Sequence, residues 1–399
     1  MRVLATLQPG LGHFHPLIPL ARLLADRGHE VVFACSAAFG PTVAAAGFQS
    51  VPAGIDWLSA EIESAFPAIR DIPPGPARYA WGRQHLFADI TARAMVPDLL
   101  DFARQWQPAV IVRDAAEYGG YLAAEVLDLP HAVVRTDSGS AAFAARGDVA
   151  APLTAARAAL GLPPDPDVIG PFRYLGLSFA GPLDDPAILD APTTHRLRPG
   201  VETADELDAG IPWPGQLPAR PLVYGTLGTV YNRLTNIFDA IMAGLRDADI
   251  NLLLTIGHSL DPAQFGPQPG HIRIERYIPQ ATLLPACDLV LTHGGYGTVS
   301  AALAHGLPLV MLPISADQPQ NARRCVTLGV GQMLGPDERT PEAIRNAVQS
   351  VLTDPSYRAR SVAVRETIER LPDIATGVAL LERLAHERRP LVAADPGGN

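Results

Sequence analysis

The chain has 399 residues, enough for two domains that each bury a core, and 48% of them are hydrophobic. A formal net charge of −10 argues against a nucleic-acid partner, because a phosphate backbone needs a basic face. Every Lys/Arg-type cation is an arginine, which excludes P-loop nucleotide hydrolysis, Schiff-base chemistry and a lysine general base.

No stretch approaches the ~20 apolar residues of a membrane span, so stable membrane insertion is not expected. The opening run, residues 1–7, is too short for the apolar core of a signal peptide and leads straight into Gln8-Pro9-Gly10. Cys35, Cys287 and Cys325 lie far apart without metal-ligand spacing, so reduced core thiols in a cytoplasmic protein are expected.

Residues 2–7 read as a buried strand, 8–16 as a glycine-rich turn, 17–26 as a helix closed by Gly28, and 30–35 as a second strand. This is a Rossmann-like opening. A dinucleotide fingerprint would need a third glycine where His15 stands after Gly10 and Gly12. His13 and His15 together suggest a metal, but no third ligand of suitable spacing accompanies them, and a structural His15 is favoured. Between residues 53 and 93, proline, glycine and the aromatics Trp57, Phe66, Tyr79, Trp81 and Phe87 interleave with short helical pieces. That segment reads as an adaptable pocket wall, with an irregular surface excursion as the plain alternative. Residues 97–105 should be helix and 109–113 a strand with Asp114 at its carboxyl end. Residues 117–127 follow as helix and 131–135 as strand. Prolines break the pattern around 163–171 and 182–192. A proline-rich run flanking Trp213 places an interdomain linker at 206–220.

A second β/α series follows: a strand at 221–225, a turn to Thr229, a helix at 235–246, and strands at 251–256 and 272–275. Residues 288–292 form an apolar strand-like run, and Thr292-His293-Gly294-Gly295-Tyr296-Gly297-Thr298 leads into a helical stretch that stops at Gly306. A strand, a glycine-rich turn and a helix start aim backbone N–H groups and a positive helix dipole at one point, which suits a diphosphate. An ordinary strand-to-helix turn is the plain alternative. Residues 309–313 read as the next strand, with Asp317-Gln318 just past its carboxyl end, where open parallel sheets collect ligands. An acid and an amide there can hold sugar hydroxyls. Upstream, Tyr277-Ile278-Pro279-Gln280 can present a platform and backbone groups to a base. Helices are expected near 341–352, 357–371 and 374–388, then a tail over 391–399.

From Tyr277 to Gln318 the order and spacing resemble the nucleotide-sugar signature of family 1, GT-B-fold glycosyltransferases. The run has Tyr277 in place of the usual tryptophan, then Pro279-Gln280, His293, Gly295, Thr298, Gly306, Pro308 and Asp317-Gln318. The resemblance is to actinobacterial natural-product enzymes acting on macrolide, polyketide or enediyne-type aglycones. It implies an α/β fold of two Rossmann-like domains facing a cleft. Residues 1–205 would hold the acceptor and residues 221–373 the donor, and residues 374–390 would form a helix crossing back to the first domain. His13, in Gly12-His13-x-x-Pro16, matches the family's general base, and Asp114 matches its acid partner, with Glu117 as the competitor. Donor contacts would fall to Thr229 (Thr226 competing), Ile278, Gln280, His293, Gly294, Gly295, Gly297, Thr298, Asp317 and Gln318. Phe14, Trp57, Phe66, Tyr79, Trp81 and Phe87 would face the acceptor. Many plant relatives carry a glutamate that grips the ribose diol where this chain has Ala301. Thymidine lacks the 2′-hydroxyl, so the missing acid favours a TDP-sugar.

The expectation is an inverting, metal-independent transferase that moves a deoxysugar onto a lipophilic aglycone, in antibiotic biosynthesis or other secondary metabolism. It would use no cofactor, because the TDP- or UDP-sugar is a co-substrate, and a homodimer is compatible with it. Domain closure would expel water from the site. The alternatives are a UDP-sugar enzyme, a nucleotide-sugar epimerase on the same fold, a non-catalytic partner protein and, last, a Rossmann dehydrogenase.

Overall fold

The computed structural model describes residues 1–73, 75–136, 143–185, 190–200, 217–228, 235–257 and 259–393. The chain divides into two compact units, Met1–Gly200 with Leu371–Asn399, and Val201–Arg370. Most of the expected linker, residue 229 and the end of the tail lie outside the described residues.

Among the described residues, the first unit holds seven strands. They are β1 (Arg2–Thr6), β2 (Glu30–Cys35), β3 (Gln49–Pro52), β4 (Val110–Asp114), β5 (His131–Arg135), β6 (Leu175–Ser178) and β7 (Thr194–Arg196). All pairings are parallel, in the order β3-β2-β1-β4-β5-β6-β7. β4 and β5 are buried along their whole length, as parallel strands covered on both faces must be. The chain leaves β1 toward β2 and β3, then returns to the other side of β1 at β4. Thr6 lies level with Arg113 across that junction, so the segments after β1 and β4 emerge side by side. In a sheet of this kind that junction is where a ligand crevice opens.

Helix Ile18–Asp26 carries a proline in its first turn and buries Ile18, Leu20, Ala21 and Leu24. Helix Ile374–Glu387 packs on it, with Gly377 close to Leu20 and Leu197, and Glu382 pairs with His29 at 2.8 Å. The last long helix therefore belongs to the first unit. The short helical pieces expected before Pro97 appear at Ser59–Glu61, Ile62–Ala65 and Pro67–Ile69, but from Pro76 the segment is helical through to Trp106. Its middle, Gly82–Thr91, has the wider π-helical winding, and Pro97 lies inside helix Ala92–Trp106. The buried stripe Ala92, Met95, Val96, Leu99 and Ala103 carries the helix through a proline that by itself would mark a start.

Among the described residues of the second unit, six parallel strands run in the order β10-β9-β8-β11-β12-β13. They are β8 (Leu222–Thr226), β9 (Asn251–Thr255), β10 (Ile272–Glu275), β11 (Leu289–Thr292), β12 (Leu309–Met311) and β13 (Gly331–Met333). Helix Thr235–Leu245 and helix Pro341–Thr353 cover one face through Phe238, Ile241, Ile344 and Val348. Thr226 lies level with Thr292, so this sheet has its own junction, between β8 and β11. All three cysteines are buried and unbridged, and burial pushes each thiol up to about 12. Among the described residues, no helix is long and apolar enough to cross a membrane.

Candidate active site

At the first junction the glycine turn after β1 winds into a single helical turn, Leu11–Phe14. Consecutive residues on such a turn point in different directions. Phe14 goes inward, 1% exposed, with its ring against Phe33 at 5.2 Å and Phe39 at 5.6 Å. It is a core residue and not the acceptor-facing aromatic expected from the sequence. His13 keeps a side chain 30% exposed and sets Nδ1 3.0 Å from Asp114 Oδ1. His15 is exposed, with its ring beside that of Phe14.

Asp114 is buried and fully engaged. Oδ2 accepts the Gln8 N–H at 3.0 Å, and Oδ1 also accepts the Ala116 N–H at 3.0 Å. Burial works to raise this carboxyl, but His13 and the two N–H groups outweigh it and hold it below the usual carboxylate range. The fully buried Arg113 guanidinium fixes the loop that follows by donating to the carbonyls of Asp114, Ala115, Glu117 and Pro171. Glu117, the competing acid, turns elsewhere. Its carboxyl takes the Thr6 hydroxyl and the Gly120 N–H, at the start of helix Gly119–Val126. Burial pushes it up.

The wall segment contributes unequally. Phe87 lies edge-on to the His13 ring, with centroids 6.3 Å apart. Trp57 and Phe66 pack on each other at 5.0 Å in a buried cluster with Leu86, and Trp81 rests on its rim beside His85. Trp57 and Phe66 thus form a small core within this segment and do not present their rings as an acceptor surface; apolar side chains this large are stabilised more by mutual burial than by facing water. Tyr79 is half-buried in helix Pro76–Trp81.

The second junction gathers the glycine signature. Gly294 takes φ +86 and Gly295 caps helix Tyr296–Ala304, whose first N–H groups point out of the turn. His293 lies between two glycines. A Cβ at Gly295 would come within 2.5 Å of its Nε2, and one at Gly228 (φ +72) within 2.8 Å. Burial pulls His293 down to about 4 against a hydrogen bond to the Thr226 backbone, so the imidazole is neutral. Thr226 Oγ1 accepts the Gly228 N–H at 3.2 Å.

Gln280 reaches across to donate to the Thr298 hydroxyl at 3.1 Å and toward the Tyr224 hydroxyl at 3.5 Å. Ile278 sits half-buried just before it, and Tyr277 is 59% exposed. Gly297, in the first turn of the helix, has open space around its Cα. Past β12, Gln318 accepts the N–H groups of Ile314 at 2.7 Å and Ser315 at 2.9 Å, so its oxygen braces the loop and only its NH₂ end can serve a sugar. Asp317 accepts from Asn321 Nδ2 at 2.7 Å, and the same amide donates to the Gly294 carbonyl at 3.1 Å. Asn321 therefore ties the Asp317-Gln318 loop to the glycine turn. Neither Asn321 nor Gln8 was singled out from sequence. The available signals were the four-residue spacing of Asp317 and Asn321 on one helix face and the position of Gln8 just past the first strand.

Two family models match the chain. They describe the N-terminal domain of erythromycin biosynthesis protein CIII-like proteins, over residues 23–160, and the C-terminal domain of the same proteins, over residues 239–382. The chain is 32% identical to 10-deoxymethynolide desosaminyltransferase of Streptomyces venezuelae, over 98% of each protein. It is 29% identical to aklavinone 7-beta-L-rhodosaminyltransferase of Streptomyces galilaeus, over 100% of this chain and 99% of that protein. Among solved structures it shares the fold of the glycosyltransferase VinC in complex with dTDP. The TM-score is 0.78 at 24% identity, covering 97% of this chain and 100% of the other. Spinosyn rhamnosyltransferase SpnG complexed with thymidine diphosphate gives 0.77 at 22% identity, covering 96% and 100%.

Proposed function

Because the chain belongs to the erythromycin biosynthesis protein CIII-like family of glycosyltransferases, we propose that it moves a deoxysugar from a TDP-sugar onto a lipophilic natural-product aglycone. Transfer proceeds with inversion, without a metal ion, and with His13 as the base. The observation that carries this reading is the 3.0 Å pair of His13 Nδ1 and the ionised Asp114 at the first sheet junction. With Nδ1–H donated to the carboxylate, the lone pair lies on Nε2. Nε2 takes the proton of the acceptor hydroxyl while the oxygen attacks the anomeric carbon from the face opposite the diphosphate. The bond between that carbon and the diphosphate oxygen breaks, and TDP leaves with the electron pair. Asp114 stabilises the imidazolium that forms.

The leaving charge is met by the N–H groups opening helix Tyr296–Ala304, by Thr298 and by a neutral His293. Asp317 faces the sugar hydroxyls, and Ala301 offers no carboxylate to a ribose diol. The deoxysugar and the thymidine nucleotide are supported by the relatives named as desosaminyl- and rhodosaminyltransferases and by the two neighbours solved in complex with thymidine nucleotides. His13→Ala should reduce transfer by roughly 10²–10⁴ while TDP binding survives. Near-normal turnover of this variant on an alcohol acceptor would remove His13 from the role of base.

A further inference from the structure

Gln8, just past β1, is 1% exposed, and its two ends serve different structures. Its backbone N–H donates to Asp114 Oδ2 at 3.0 Å. Its side-chain Nε2 donates to the Thr91 hydroxyl at 3.1 Å and the Ala116 carbonyl at 3.2 Å. A carbonyl can only accept, so the amide orientation is fixed, and Oε1 is left buried without a hydrogen-bond partner among the described residues. An apolar residue would avoid burying that oxygen, so the position calls for the donor end of the amide. Thr91 closes the π-helical segment Gly82–Thr91, and its hydroxyl donates to the Leu86 carbonyl at 3.0 Å, beside Phe87. Phe87 is the wall residue that meets the His13 ring. One glutamine thus stands between the acid that orients His13 and the helical segment that lays an aromatic ring on it.

We infer that Gln8, through Thr91, is a positioning residue that locks the acceptor wall to the His13–Asp114 pair. How an acceptor is seated and how the base is oriented are then set by one hydrogen-bond chain. This rests on the reading of His13 as the base.

The test compares Thr91→Val, which is isosteric but cannot bond Gln8 or Leu86, with Thr91→Ser, which keeps the hydroxyl. The readouts are acceptor KM, kcat, the acid limb of the kcat/KM profile, and TDP affinity by calorimetry. Asp114 is faced by His13, Arg113 and Glu117, and neither variant alters these groups. Thr91→Val should raise acceptor KM and lower kcat, each about three- to tenfold as expected for one or two lost neutral hydrogen bonds, and should move the acid limb. Thr91→Ser should stay within about twofold of the parent, and TDP affinity should be unchanged in both variants. Wild-type KM and an unmoved limb in Thr91→Val, even with a lower Tm, would overturn the inference and leave the bond merely structural. If Thr91→Val does not fold, Gln8→Met removes the same donor while keeping the backbone N–H, and the same outcomes decide. His13→Ala is assayed in parallel. Its survival refutes the base itself, whereas an inactive His13→Ala beside a wild-type-like Thr91→Val refutes only the lock.

Discussion

Replacing Asp114 with asparagine changes one atom and tests the pairing from both sides. The carboxylate accepts three hydrogen bonds, from His13 and Ala116 at Oδ1 and from Gln8 at Oδ2. An asparagine can match only one side. If its NH₂ takes the Oδ2 position, it meets the Gln8 N–H donor to donor. If it takes the Oδ1 position, it meets the Ala116 N–H and forces His13 Nδ1 to become an acceptor, which places the imidazole proton on the nitrogen needed as base. Either way one buried donor loses its acceptor, at a stability cost of about 1–3 kcal/mol. The imidazolium also loses a charge-assisted partner worth about 1.5–3 kcal/mol, which corresponds to a rate loss of roughly 10- to 100-fold. That is smaller than for His13→Ala, because the base is still present. The acid limb of kcat/KM should move to lower pH, since the imidazolium is no longer stabilised by a neighbouring negative charge. Stability has its own sign. The folded-state value of Asp114 lies below the unfolded one, so its contribution is present above the unfolded value, about pH 4, and is lost as pH falls through the folded one. The variant should lack that acid-side loss. The assay is steady-state transfer from a TDP-sugar to an alcohol acceptor across pH, beside acid-unfolding curves. A rate within about threefold of wild type with an unmoved acid limb would refute the argument and imply that His13 works without Asp114.

Three further outcomes follow from the donor half. In the proposed donor site a helix start and neutral donors meet the leaving diphosphate, so activity should persist in excess EDTA; complete loss that Mg²⁺ restores would show the donor site is misassigned. Ala301→Glu should shift nucleotide preference toward UDP, whereas the parent should bind TDP at least as tightly as UDP. Tenfold tighter UDP binding by the parent, about 1.4 kcal/mol, would place ribose recognition elsewhere. Gly295→Ala keeps an allowed backbone, φ −64, but drives a Cβ to 2.5 Å from His293 Nε2. TDP affinity should therefore fall about tenfold with little change in Tm, and an unchanged Kd would mean that the placement of His293 is irrelevant to the donor.

The sequence by itself determined most of the elements and the motifs, because both are local. Apolar runs a few residues long, punctuated by glycine and proline, placed β1, β2, β4, β5 and β8–β12, and the order from His293 to Gln318 was legible as a spaced set. Short strands such as β7, Thr194–Arg196, and β13, Gly331–Met333, left no such trace, because neither carries an apolar run and each becomes a strand only beside a neighbour. Pro97 read as a helix start until the buried face on both sides of it was seen. The turn read over residues 8–16 also could not separate Phe14 from His13, one turned into the core and the other out of it. What tertiary structure alone decided is which distant residues meet. Strand order is a non-local property, and it brings β1 beside β4 and β8 beside β11. For that reason His13 finds Asp114 and not Glu117, and Gly228 makes room for His293. A turn residue such as Gln8 comes to hold the acid and the wall at once for the same reason: parallel strands release their loops at a single edge, whatever their separation along the chain.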